Sequence, residues 1–543
     1  MSSERQKIII RVFRKYSHSL GPDEIAFLEN VLDDFGVSDE DAEYSVELVA
    51  KEYNRQDDAA MKVTLPVLKR VLDALQHAGA SGEGRIDEGD LDIDAHLSFI
   101  NAFEMPVWRW STERGAFERS TATPGALGSA EARVSATRDR LHVIRQTILR
   151  NEHFTPSAVL TRDRAHLLTI RSTKQLLGRA GERFLLFGML SHSKEGKLCL
   201  EDQDGRVELD FSQLDAPSEG LFTEGACALV EGDYTEDETF VVIAIGHPPC
   251  ESREAARAIY GHVDFLGKGA TTPAEDAAFA KRIEADLKHV TFFIMSDVWL
   301  DEPDTLRGLR RIFDNCIEND YIPLVLVMCG NFSRKGIAHG NARDVARYTE
   351  GFDMLADLIA SYPRITQTTH FVFVPGPADL SANSLLPRRP LLQTATARLR
   401  MKVPRLTLGS NPSRIKFFGQ EIVIFREDTM ARMLRNLVGV KPDVGGEDLK
   451  RYLVQSILDQ SHLAPLTSNI APVLPDYDHS LRLYPLPTCV VLADKYESYR
   501  MTYEGCHVLN PGSFIGHTYQ FTAYTPATRE SEPCVVDMDF DDA

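Results

Sequence analysis

Cysteine is scarce and scattered in this chain. The eight residues Cys199, Cys227, Cys250, Cys316, Cys329, Cys489, Cys506 and Cys534 form no Cys-x-x-Cys pair, and none lies in the first third. That removes a zinc knuckle and a disulfide framework and leaves thiols suited to a reducing compartment. Long apolar runs are also missing: the longest, such as residues 290–295 and 324–329, fall far short of the ~20 residues a bilayer span needs. The start, Met1-Ser2-Ser3-Glu4-Arg5-Gln6-Lys7, leads only into a short patch from Ile8 to Ile10 and shows no small-residue cleavage site, so it does not read as a secretory signal. Positive charge is in deficit, 60 Lys and Arg against 80 Asp and Glu, for a formal net charge of −20. Such a chain as a whole repels phosphate backbones, so any DNA contact has to be local or borrowed from a partner.

What is present is an ordinary globular composition, 43% hydrophobic and 26% charged over 543 residues, enough for three or four domains at about 100–200 residues each. Residues 1–76 are helical by period. Gly21-Pro22-Asp23-Glu24 opens a helix with Ile25, Leu28, Leu32 and Phe35 on one face and Gly36 at its end. Ser38 is an N-cap candidate for a second, bearing Ala42, Val46, Val49 and Tyr53, and residues 65–75 give a third. This is a small helical bundle. Residues 77–130 are expected to be linker and irregular chain, with residues 79–94 too acidic and Gly-rich to pack. The expected domains are thus 1–76, the linker 77–130, 131–288 and 289–543.

A helical period over 131–151 precedes five short strand patterns at 184–190, 196–201, 207–211, 226–232 and 239–245, separated by turns such as Asp204-Gly205. Five such strands suggest an OB-like barrel. Barrels of that kind bind single strands through aromatic platforms, for which Phe184 and Phe187 are the candidates, but Glu195, Glu201, Asp202, Asp204, Glu208 and Asp210 outnumber the cations around them. Protein contact is the expected role. From His289 onward strands alternate with helices, the signature of a layered α/β domain. Its apolar strands at 290–295, 324–329 and 370–374 end in the polar loops Ser296-Asp297-Val298-Trp299, Gly330-Asn331-Phe332 and Gly376-Pro377-Ala378-Asp379. Ligands of such folds gather at these ends.

In order, those loops resemble the strand-end motifs of calcineurin-like metallophosphoesterases, Asp-x-His, Gly-Asp, Gly-Asn-His, a lone His and Gly-His-x-His. Two metal ions ~3.5–4 Å apart require that set of imidazoles and carboxylates. Here Trp299 stands for the first His, Asn331 for a carboxylate, Gly376-Pro377-Ala378-Asp379 has lost both Asn and His before its acid, and Ala493-Asp494-Lys495-Tyr496 replaces the late motif. His462 matches the lone His. A degenerate mononuclear site would draw on Asp297, Asp379, Asp494 and His462; the favoured reading is loop carboxylates bonded to backbone and a structural histidine, with no cofactor and no catalysis. His18 and His339, without acidic neighbours in sequence, are expected to be surface or core residues.

An OB barrel followed by an inactivated phosphoesterase domain is similar to the B-subunit family of replicative DNA polymerases. Within it, the N-terminal bundle and the stretches Leu408-Gly409-Ser410-Asn411-Pro412-Ser413-Arg414, Phe425-Arg426-Glu427-Asp428, Leu474-Pro475-Asp476-Tyr477-Asp478-His479 and Asn510-Pro511-Gly512-Ser513-Phe514 resemble the epsilon branch. The fold class is then multidomain α/β plus β: a helical bundle, an OB-like barrel and an inactivated phosphoesterase-like sandwich. The resemblance implies a nuclear, heteromeric scaffold that holds the C-terminal zinc-binding region of a catalytic subunit and docks its bundle on the GINS part of the replicative helicase. A metal-dependent phosphodiesterase or nuclease and a single-strand-binding module are the alternatives. One further feature is a basic block free of acids, Arg388, Arg389, Arg398, Arg400, Lys402, Arg405, Arg414 and Lys416. It reads as a solvated face or, functionally, as a contact to the partner subunit. The acidic residues 537–542 read as a frayed tail.

Overall fold

The computed structural model describes the chain apart from residues 1–3, 17, 39–41, 57–59, 81–91, 155–168, 215–218, 338–340, 381–383, 440–444, 517–518 and 538–543. Most of the acidic linker, His339 and all but Asp537 of the acidic tail therefore lie outside the described residues. The chain divides into two compact units, Met1–Ala95 and His96–Ala543.

The first unit carries helices Glu4–Lys15, Pro22–Asp34, Ala42–Arg55 and Leu65–Ala80. Pro22 opens the second, where a missing N–H costs nothing. Their apolar faces meet in one core of Ile9, Phe13, Leu28, Val46, Tyr53 and Leu68. His18 is a structural residue: its Nδ1 meets the Ala60 carbonyl at 3.1 Å and its Nε2 the Asn54 side chain at 3.2 Å.

In the second unit the barrel forms from the five expected stretches. Strands Arg183–His192, Leu198–Glu201, Arg206–Asp210, Thr239–Gly246 and Cys227–Tyr234 follow one another by hydrogen bonding, and the last pairs back onto the first. Alternate residues, among them Leu186, Leu200, Val230, Phe240 and Val242, fill its interior. Phe184 lies in that core, and Phe187 packs outward against Ile144 and Ile148 of helix Ala130–Ile148; both are 5% exposed. These rings are spent on packing, which speaks against the alternative of a single-strand platform.

Beyond the barrel, two six-stranded sheets stack. One runs, in hydrogen-bonded order, Leu406–Leu408, His370–Val374, Val325–Cys329, Phe292–Ser296, Gln520–Thr525 and Glu530–Val535; the other runs Leu97–Asn101, Ser413–Phe417, Gln420–Arg426, Cys489–Ala493, Cys506–Asn510 and Tyr499–Tyr503. The period-2 alternation separates two faces. Phe293, Met295, Leu326 and Phe373 pack outward under helices Pro303–Glu318 and Ala342–Ala360, and Val423, Phe425, Val490 and Leu492 under helices Thr429–Arg435 and Gly446–Asp459. Between the sheets Phe292 meets Phe417, ring centroids 5.5 Å apart. The stretch expected to be irregular is corrected from Leu97 on: Leu97–Asn101 is an edge strand paired antiparallel with Ser413–Phe417, and Trp108–Ser111 pairs with Ala116–Arg119. The partner of the edge strand, more than 300 residues away in sequence, leaves no local periodic signal.

Candidate functional site

The parallel strands Phe292–Ser296, Val325–Cys329, His370–Val374, Gln420–Arg426 and Cys489–Ala493 bring their carboxyl ends to one region. Five loops leave from there. Asp297 follows the first strand in the left-handed region at φ 54°, a conformation Asp tolerates better than branched residues. Gly330 follows the second; a Cβ there would fall 1.9 Å from Asp379 Oδ2, so only glycine lets the chains approach.

At the centre stands Arg426, 1% exposed at its side chain. Its Nη2 donates to Asp297 Oδ1 at 2.8 Å, its Nη1 to Asp428 Oδ1 at 2.9 Å and to the Ala493 carbonyl at 3.4 Å, and its Nε to the Gly330 carbonyl at 2.6 Å. Burial alone would favour the neutral form, but Asp297 and Asp428 outweigh it and hold the guanidinium firmly charged. Asp428 is in turn held below its ordinary range, against its own burial, by Arg426 and by Lys495, whose Nζ lies 3.0 Å away. Asn411 locks the backbone around this centre: its Nδ2 donates to the carbonyls of Pro375 and Arg426, and its Oδ1 accepts from Arg426 N. Arg388, from the basic block, is fully buried beside it, paired with Glu427 and reaching the Arg426 carbonyl.

The remaining sequence candidates are spent on backbone. Asp379 accepts from Phe332 N and Gly376 N, each at 2.7 Å, and from the Tyr348 hydroxyl at 3.1 Å; burial pushes its carboxyl up to about 6. Asn331 donates from its backbone to Asp297 and accepts from Ala378 N at 2.8 Å. Asp494 accepts from Met430 N and Tyr496 N, and burial raises it as well. Trp299 lies under Arg334, whose guanidinium carbon is 5.8 Å from a ring centroid. His462 faces a different set of residues. Its Nδ1 accepts from Ala464 N, and its Nε2 lies 3.5 Å from Asp478, which Arg140 Nε meets at 3.0 and 3.1 Å. Burial, and then Arg140, push that imidazole down from its ordinary value.

The structure therefore brings Asp297, Asn331, Ala378 and Asp379 into one bonded network, with Asp494 at the neighbouring strand end, and assigns His462 to the contact with helix Ala130–Ile148. These residues do not fit a metal pair. The carboxylate nearest the centre already holds a permanent cation, a divalent ion there would face like charge at short range, and among the described residues no group of three or more His, Cys, Asp and Glu is placed to hold one. Arg426 is the residue the sequence left without a role. Its signal was an arginine closing an otherwise apolar run, Ile422-Val423-Ile424-Phe425.

The basic block does not form one face. Arg388 and Arg414 are interior, Arg398 and Lys402 pair with Asp357, Arg400 meets Gln393, Arg405 meets His370, and Lys416 reaches the Lys268 and Gly269 carbonyls. Arg389 is exposed.

The barrel and the helix-flanked pair of sheets fall on the two stretches where models of a DNA polymerase B subunit match, which sets the class of the chain. The family model described as "DNA polymerase epsilon subunit 2-like, OB-fold domain" matches residues 130–249, and the model for the DNA polymerase alpha/epsilon B subunit matches residues 292–501. DNA polymerase epsilon subunit 2 of Bos taurus is 34% identical over 88% of this chain and 91% of its own. The DNA polymerase epsilon B subunits of Schizosaccharomyces pombe and Arabidopsis thaliana are each 33% identical over 80% of this chain and over 76% and 82% of their own. The chain belongs to the DNA polymerase epsilon B-subunit family.

Proposed function

We propose that the chain is a non-catalytic accessory subunit of DNA polymerase epsilon, a scaffold in chromosomal replication. Arg426 carries the reading: a side chain fixed between Asp297 and Asp428 supplies the positive charge that a hydrolytic centre of this fold would take from metal ions. The two-sheet unit is read as a calcineurin-like phosphoesterase fold that has lost its chemistry, supported by the order of its strand-end loops. The modules follow the division 1–76, 131–288 and 289–543, with the edge strand Leu97–Asn101 added to the last. The barrel and sandwich hold the C-terminal zinc-binding region of the catalytic subunit, and the helical unit meets the GINS part of the helicase, in the nucleus and with DNA touched only indirectly or locally. Arg389, Arg398 and Arg400, exposed on the surface, are the cations of the basic block available to an acidic partner face.

Affinity purification of the full chain from replicating nuclei at moderate salt tests this. Recovery of a large polymerase subunit with helicase components is expected, and loss of the helicase alone when residues 1–95 are removed. Recovery of the chain by itself, with manganese-stimulated phosphodiesterase activity abolished by Asp297→Ala, would overturn the reading in favour of a nuclease.

A further inference from the structure

A narrow cleft on the outer face of the second sheet, remote in function from the strand ends, is lined by Arg253, Arg257, Arg414, Lys416 and Arg482 against only two acids, Asp264 and Glu421. Neither acid is at liberty. Glu421 pairs with Arg414 and lies 3.7 Å from Arg253. Asp264 accepts from the backbone N–H groups of Gly267, Lys268 and Gly269. The lining is rich in cations, of which Arg257 is paired with Asp276 and Arg482 with Asp139 just outside it; burial pushes Arg253 down and the cleft-lining His479 down to about 4.

Two buried polar atoms of the lining have no hydrogen-bond partner, Arg414 Nε and His479 Nδ1, and buried groups of that kind call for an explanation. Arg414 is 4% and His479 8% exposed. His479 Nε2 contacts the Met105 carbonyl at 3.2 Å, and a carbonyl only accepts, so the neutral ring carries its proton there and presents a lone pair at Nδ1. The orphans are therefore one donor and one acceptor, carried by two residues that line a cation-rich cleft. A carboxylate or sulfate offers acceptors alone. A protonated phosphate offers acceptor oxygens to the guanidiniums and a P–OH to the imidazole.

We propose that this cleft binds a phosphate-type oxyanion, either the free ion or a phosphomonoester. Calorimetric titration of the full chain at pH 7 and matched ionic strength, with inorganic phosphate and with sulfate, tests it. Saturable one-to-one phosphate binding is expected, with sulfate at least tenfold weaker because the imidazole is then left facing an acceptor. Lys416→Gln, at the partly exposed rim, is expected to weaken phosphate at least tenfold with the fold retained by circular dichroism, and His479→Gln to erase the preference over sulfate. Phenyl phosphate as a third probe separates the sources: tighter binding than inorganic phosphate assigns a monoester, weaker binding the free ion. Absence of saturable binding, equal affinity for sulfate, or phosphate affinity indifferent to both substitutions would overturn the proposal.

Discussion

Two arginines of one antiparallel hairpin meet opposite surroundings. Arg414, in strand Ser413–Phe417, and Arg426, in strand Gln420–Arg426, are both buried, and the pleat turns them to opposite faces of the sheet. Arg426 points between the sheets, where each of its three nitrogens donates. Arg414 points outward, where Nη1 meets Glu421, Nη2 meets the carbonyls of Ser480 and Arg482, and Nε meets nothing. A guanidinium with every nitrogen engaged is a fixture of the fold, while one with a nitrogen in reserve beside a cleft can take a ligand. Burial of a charge thus says little about its role; the accounting of its donors says much more.

The largest effect expected from this contrast is that of Arg426→Met, which strands Asp297 and Asp428 without their cation. A loss of about 3–5 kcal/mol is expected, as for other buried pairs broken on one side, read by urea denaturation of the full chain. Adding Asp297→Asn should recover part of it, because the stranded carboxylate is then gone. Arg414→Met should cost less, roughly 2–3 kcal/mol for its charged hydrogen bonds, since Glu421 keeps Arg253 near. Equal losses at the two positions would erase the distinction between fixture and reserve.

How far this was legible from residues alone differs by element. The barrel was, because its strands alternate apolar and polar residues between turns, and so were the central strands at 325–329 and 370–374. The edge strand Leu97–Asn101 was not, its pairing partner being more than 300 residues away. The carboxylates at the strand ends were found by motif, but Arg426 was invisible as their partner because its acceptors come from positions 297, 330, 428 and 493. His462 was grouped with those carboxylates on the strength of order along the chain, whereas its neighbour Asp478 and the Arg140 beyond it form a separate contact. Order predicts strand ends well and side-chain partners poorly, since partners are fixed by packing in three dimensions.

That separate contact extends the comparison to a pair of intermediate burial. Arg140 holds the Asp478 carboxyl well below its ordinary range, against the effect of burial. A carboxyl depressed in the folded state stabilises in full above the unfolded value near pH 4, and the contribution drains as pH falls below it. Asp478→Asn is expected to cost roughly 1–2 kcal/mol at pH 7 and to flatten the decline in stability between about pH 4 and pH 2, as measured by denaturant titration at stepped pH.

At the far end of the series is Arg398, which pairs with Asp357 on the surface, both Nε and Nη2 donating to it at 2.9 and 2.7 Å. The geometry is bidentate, yet water and salt screen both groups, and exposed pairs add little to stability. Arg398→Ala is therefore expected to leave the melting temperature of the full chain unchanged within error, at low and high salt alike. If the same substitution reduces recovery of the large polymerase subunit in the purification, the arginine acts through the surface it presents; if it lowers the melting temperature instead, donor accounting by itself fails as a guide, because a pair open to solvent would then be acting as a fixture.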